Sequence, residues 1–171
     1  MKLELKNIKH AAFASEETHC FEAVLYLDGQ PVAHISNEGR GGSDHVVPHE
    51  RAPKGFWRNW RETMEAIDAH FANLPKSKLD LGDGRIVDID QSLEIWTSEQ
   101  INEWLARKDF KRRMKAKILA KFADGIYGWK KAPALDKQIA LIKQKYAADN
   151  ITILNELDDE AAFAIYREAT K

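Results

Sequence analysis

The sequence predicts an α+β fold, a mainly antiparallel sheet built from two hairpins with about four helices packed on it. Two pairs of strand-like segments are joined by Asp-Gly turns. Four stretches repeat apolar residues at three- and four-residue steps. Strands and helices do not alternate regularly, which argues against a parallel sheet of βαβ units.

Taken in order, Leu3 and Leu5 of KLELKNI lie on one side of a half-buried strand. In CFEAVLYLDGQPVAHIS, Phe21, Ala23, Leu25 and Leu27 share a face, Asp28-Gly29 turns the chain, and residues 32–36 return. In GFWRNWRETMEAIDAHFANLP, Trp57, Trp60, Met64, Ile67, Phe71 and Leu74 make one helical stripe, with Trp60 on its central line and Pro75 as the stop. Gly82, Asp83 and Gly84 turn into a short strand, RIVDID. A helix follows over 92–108 with Leu93, Trp96, Ile101, Trp104 and Leu105 inward, and Thr97 or Ser98 is placed to cap a break in it.

KRRMKAKILAK is basic like an exposed helix, but Met114, Ala116, Ile118, Ala120 and Phe122 alternate with Lys115, Lys117, Leu119 and Lys121. That period predicts a strand over 114–122, paired through Asp124-Gly125 with 126–131. Pro133 suits the first turn of a third helix, whose stripe is Leu135, Ile139, Ile142 and Tyr146. NITIL reads as a short strand, and Asp158 or Asp159 starts a last helix burying Ala162, Ile165, Tyr166 and Ala169.

The chain of 171 residues is long enough for one domain with a real core. We read 1–171 as a single domain, with a strand and hairpin region over 1–50 and a helix-rich, second-hairpin region over 51–171. A net charge of −1 excludes a wholly basic nucleic-acid binder while leaving room for a local patch. One cysteine, Cys20, allows no internal disulfide and fits a reducing compartment. The N-terminus has no signal-peptide apolar run, and no stretch is apolar enough to span a membrane, so the expected location is cytoplasmic.

The segment CFEAVLYLDGQPVAHISNEGRGGSDHV combines an aromatic strand, a glycine turn, a second strand and Asn-x-Gly-x-Gly-Gly. With KILAKFADGIYGW and ITILNE, it resembles a loose group of uncharacterised small proteins of phages and bacterial mobile elements. The resemblance brings no catalytic residues. It implies a protein that acts by binding or blocking a host component, in the manner of a counter-defence protein.

The residues richest in chemistry run from His34 to Glu50. Gly39, Arg40, Gly41, Gly42 and Ser43, opened by Asn37, match an anion-binding nest of backbone amides with an added guanidinium. The run lacks a Gly-Lys-Ser/Thr ending, and no helix starts after it, so it is not a Walker loop. A wide turn with glycines at positive φ explains the same residues without a ligand. His45 and His49 have the four-residue spacing of paired ligands on a helix, with Asp44 and Glu50 adjacent and His34 upstream, but Pro48 makes the run loop-like, and no metal or other cofactor is expected.

Arg107 to Lys121 holds eight basic residues and one acid. In the strand register above, Lys115, Lys117 and Lys121 share a face, with Tyr127 and Trp129 on the returning strand. Lysines interleaved with aromatics are the ingredients of single-stranded nucleic-acid binding.

The leading expectation is therefore a binding protein rather than an enzyme. Its partner is a host protein or a small anionic or nucleotide ligand, met at Asn37, Gly39, Arg40, Gly41, Gly42, Ser43, His45 and His49. The alternatives are a nucleic-acid accessory protein using the basic hairpin, and a hydrolase of a phosphorylated compound with His45 or His49 as base or metal ligand. No membrane partner is expected, and a homo-oligomer is compatible with the sequence.

Overall fold

The computed structural model describes residues 1–170. It is α+β, with four α-helices and antiparallel sheets, and it divides into two compact units, 1–102 and 103–171. Among the described residues no helix is long and apolar enough to cross a membrane.

The first unit holds a four-stranded antiparallel sheet in the order β1-β2-β3-β4. Its strands are β1 (Leu3–His10), β2 (Cys20–Leu27), β3 (Gln30–Glu38) and β4 (His45–Pro48). The β2–β3 hairpin turns at Asp28 and Gly29, both at positive φ (49° and 83°), the handedness that matches the twist of the flanking strands. Phe21, Ala23, Leu25, Ala33 and Ile35 are buried on one face. The other face carries Glu22, His34, Ser36 and His45.

β4 corrects the expectation of a loop through His45 and Pro48. Its four residues pair with β3 from Ala33–Pro48 to Ser36–His45. A strand this short, ending in proline, has too few alternating positions to be seen in the sequence.

A 3-10 turn (Phe56–Asn59) leads into α1 (Trp60–Ala72). Ile67 and Phe71 are the buried residues of α1, Trp60 is half-buried, and Leu74 beyond its end is exposed. The stripe is therefore centred lower than Trp60. The Trp57 side chain lies outside the described residues. β5 (Ser77–Asp80) and β6 (Ile86–Ile89) form a separate hairpin; β5 was not expected, because SKLD offers one apolar residue.

α2 (Leu93–Ala116) starts at Ser92, whose hydroxyl accepts the amide of Ile95 (3.2 Å). It does not break at Thr97, which is fully buried between Leu93 and Ile101 at helical spacing. It also continues through residues 109–116, correcting the strand predicted from 114. Ala106, Phe110 and Met114 recur every four residues and pack into one cluster with Leu119, Leu154, Ala162, Phe163 and Tyr166. That cluster rewards the helical period over the alternation that starts at Met114.

The strand proper is β7 (Lys117–Phe122), the middle of a three-stranded sheet with β8 (Gly125–Lys130) and β9 (Thr152–Ile153). Ile118, Leu119 and Ala120 are all buried because β7 has a core on each face. Leu119 faces the cluster just described; Ile118 and Ala120 meet Ile139 and Ile142 of α3 (Leu135–Lys145) and Ile153. A short 3-10 turn (Leu154–Glu156) precedes α4 (Asp159–Glu168), capped by the Asp158 carboxylate, which accepts the amides of Glu160 and Ala161. The Tyr166 hydroxyl donates to Asp109 (2.5 Å) and accepts from Arg113 (3.0 Å).

Candidate functional site

The loop between β3 and β4 is organised by one side chain. Asn37 is 8% exposed and makes four hydrogen bonds. Its oxygen accepts from the Gly39 amide (2.8 Å) and the Thr18 hydroxyl (2.8 Å). Its Nδ2 donates to the Gly42 carbonyl (2.8 Å) and to Asp44 Oδ1 (3.0 Å). The Asn37-to-Gly39 bond is an Asx turn, and Gly39 and Gly41 both take positive φ (86° and 81°). The Gly39 carbonyl in turn accepts the amides of Glu16, Glu17 and Thr18. Asn37 is thus the frame of the loop, and its buried amide is spent on that frame.

Two amides of the nest expected of the glycines are taken from within. The Gly39 amide is taken by Asn37, and the Gly41 amide by the Thr18 hydroxyl (3.3 Å). The Glu17 carboxylate lies over Gly41, where an added Cβ would come within 2.1 Å of its Oε2. The loop also presents side chains. Arg40 and Ser43 are exposed, and an open cavity of about 450 Å³ beside them is lined also by Ser36, Glu38, Gly42 and His45. Arg40 makes no ion pair among the described residues, although Glu38 stands on the same cavity.

Beneath the loop, Asp44 Oδ2 is buried with no hydrogen-bond partner among the described residues. Burial pushes the Asp44 carboxyl above the usual aspartate range; the Asn37 hydrogen bond opposes this and the nearby Glu94 charge adds to it. A carboxyl raised in the folded state stabilises the fold in its protonated form. That advantage is present at acid pH and is lost as pH rises from the ordinary aspartate range through the raised value. Asp44→Asn keeps the oxygen that meets Asn37 and removes the charge. We expect it to melt higher than the parent at pH 7 and equally at pH 3, in thermal scans across that range; parallel curves would show that Asp44 carries no such penalty.

The three histidines divide. His45 opens β4 and His49 follows its end on the same side, and four extended steps put their Cα atoms about 13 Å apart, so they do not form the pair that helical spacing implies. His49 instead stacks on His34, with ring centroids 4.4 Å apart and planes 21° from parallel. Glu50 closes the group, its Oε2 2.8 Å from His34 Nε2 and 3.7 Å from His49 Nδ1. The hydrogen bond from His34 is the largest cause holding the Glu50 carboxyl below its ordinary range. His49 is 7% exposed and belongs to this cluster rather than to the loop cavity. The sequence places Glu50 beside His49 and His34 upstream, but which of them meet depends on the β3–β4 register.

The basic hairpin is arranged differently from the expectation. Lys115 sits in the last turn of α2, not on a strand. Lys117 and Lys121 alternate with Ile118 and Ala120, whose cross-strand partners are Trp129 and Tyr127. Directly paired residues share a face, so the lysines and the aromatics lie on opposite faces of the hairpin. Trp129 is half-buried among Phe122 and Tyr146, Tyr127 is 48% exposed, and the Lys121 ammonium donates to the Phe122 carbonyl (2.6 Å).

Comparison with known protein families, curated proteins and solved structures returns no match. The functional reading therefore rests on the chain's own geometry.

Proposed function

We propose that this chain is a binding protein that takes an anionic group, carried by a host protein or a small ligand, in the cavity beside the β3–β4 loop. The observation that carries the reading is Arg40: an exposed guanidinium without an ion pair among the described residues, on a loop held by a buried asparagine. Holding the loop in advance lowers the ordering cost of binding. A guanidinium fork matches a carboxylate or phosphate. Ser43 and His45 offer hydrogen bonds on the same cavity, and Glu38 favours an anion that brings a donor of its own. Gly39 and Gly41, at positive φ, set the loop's shape, and Gly42 lines the cavity. That the anion belongs to a host protein rests on the sequence resemblance alone, to small proteins of phages and mobile elements.

An NMR titration with inorganic phosphate and with an acidic peptide tests this. Both are expected to shift the amides of residues 38–45. Arg40→Ala is expected to weaken binding at least tenfold, about 1.4 kcal/mol, with an unchanged thermal midpoint. Added salt should weaken the parent's binding, since the contact is exposed. Shifts that persist in Arg40→Ala, or that map elsewhere, would remove the loop from the reading.

A further inference from the structure

We propose that His34, His49 and Glu50 form a binding site for a first-row divalent metal ion, Zn²⁺ foremost. The site is assembled by strand register. His34 pairs across the ladder with Val47, and the His49 amide extends that ladder to the Val32 carbonyl (2.9 Å). Residues 34, 47 and 49 therefore project from the same side of the sheet, and the two rings meet face to face. The next residues turn back, with the Ala52 amide on the His49 carbonyl (3.0 Å), which brings the Glu50 carboxylate over both imidazoles. One donor atom from each of the three residues lies within 4.8 Å of the other two.

Two imidazole nitrogens and one carboxylate oxygen are a donor set that zinc takes at open sites, and that other ions of intermediate softness accept. Tetrahedral bonds of about 2.0–2.1 Å place donors about 3.3 Å apart. The 2.8 and 3.7 Å separations straddle that distance, and because the stacked rings lie 21° from parallel, binding turns one ring about its χ2 so that both lone pairs, which lie in the ring planes, aim at one ion. A simple imidazole–carboxylate hydrogen bond would need only His34. The second ring, buried and with Nδ1 near the same carboxylate oxygen, is what a metal site adds. His49 Nδ1 now accepts the Arg51 amide (3.0 Å), so coordination there exchanges one hydrogen bond for a metal bond and leaves that amide to water. Three protein donors leave a fourth position free. With the His34 and Glu50 side chains 44% and 68% exposed, that position opens to solvent, where water or an anion can occupy it.

The test is calorimetric titration of the full chain, first stripped with a chelator, using ZnCl₂ alone, with thermal scans in parallel. We expect one equivalent bound and a midpoint that rises with zinc, because binding favours the folded state. His34→Ala and Glu50→Gln, both at exposed side chains, are each expected to weaken binding at least tenfold and to abolish the midpoint shift. His45→Ala, at the far end of β4, is expected to bind as the parent does. No saturable binding by the folded parent overturns the proposal, and so does full affinity in either triad variant. If His34→Ala does not fold, Glu50→Gln alone decides. Because His45 and Arg40 lie outside the triad, failure here leaves the loop reading intact, and failure of the loop reading leaves this one.

Discussion

Gly39→Ala is expected to be among the most damaging single substitutions in the first unit. At φ 86° an L-residue carries a backbone cost of roughly 1–2 kcal/mol. A Cβ there would also stand 2.2 Å from the Ala14 carbonyl oxygen and 2.9 Å from the Cys20 Cβ. Neither atom is the free end of a flexible chain, so relieving the clash means shifting backbone, at about 1–3 kcal/mol more. The sum is a large part of the ~5–15 kcal/mol that ordinarily holds a domain folded. Gly29→Ala is the control: its φ is 83°, yet nothing lies within 4 Å of an added Cβ. Chemical denaturation of both should show Gly39→Ala losing clearly more stability. Equal losses would mean that strain at φ is the whole effect and that residues 14 and 39 yield easily.

Phe71→Ala is the second large loss. Phe71 is 2% exposed, among the largest side chains fully enclosed in the first unit, and its ring meets Trp96 of α2 at 6.1 Å. Emptying such a site costs about 3–5 kcal/mol. Trp60→Ala, on the same helix but half-buried, should cost less despite removing a larger side chain. Midpoints in reverse order would move the centre of the packing toward the start of α1.

The parts of the fold that were legible are those with local causes. The β2–β3 hairpin follows from strict alternation around an Asp-Gly turn, and both strands lie where that pattern puts them. The last helix begins after an aspartate that caps it. What was not legible depends on partners distant in sequence. β4 and β5 are four residues each and become strands only by pairing. The segment after Lys108 satisfies two periods at once: Ala106, Phe110 and Met114 for a helix, Met114, Ala116 and Ile118 for a strand. A core elsewhere in the chain chooses between them.

The site divides the same way. Asn-x-Gly is a local Asx-turn signal, and it could have marked Asn37 as the frame of the loop rather than as a ligand contact. The His34–His49–Glu50 group has no such local mark.

The two outer strands of the four-stranded sheet have a consequence for how anything can attach to it. β1 is puckered at Asn7, at φ 55°, where its register with β2 slips between Lys6 and Lys9. β4 on the other border is only four residues long and ends in a proline that has no amide to give. Neither border offers the long, flat row of free amides and carbonyls that an incoming strand needs. Peptide capture by strand addition, and the cross-β stacking of copies that follows from the same geometry, are both disfavoured. Recognition at this sheet falls to its side chains and to the loop that joins its last two strands.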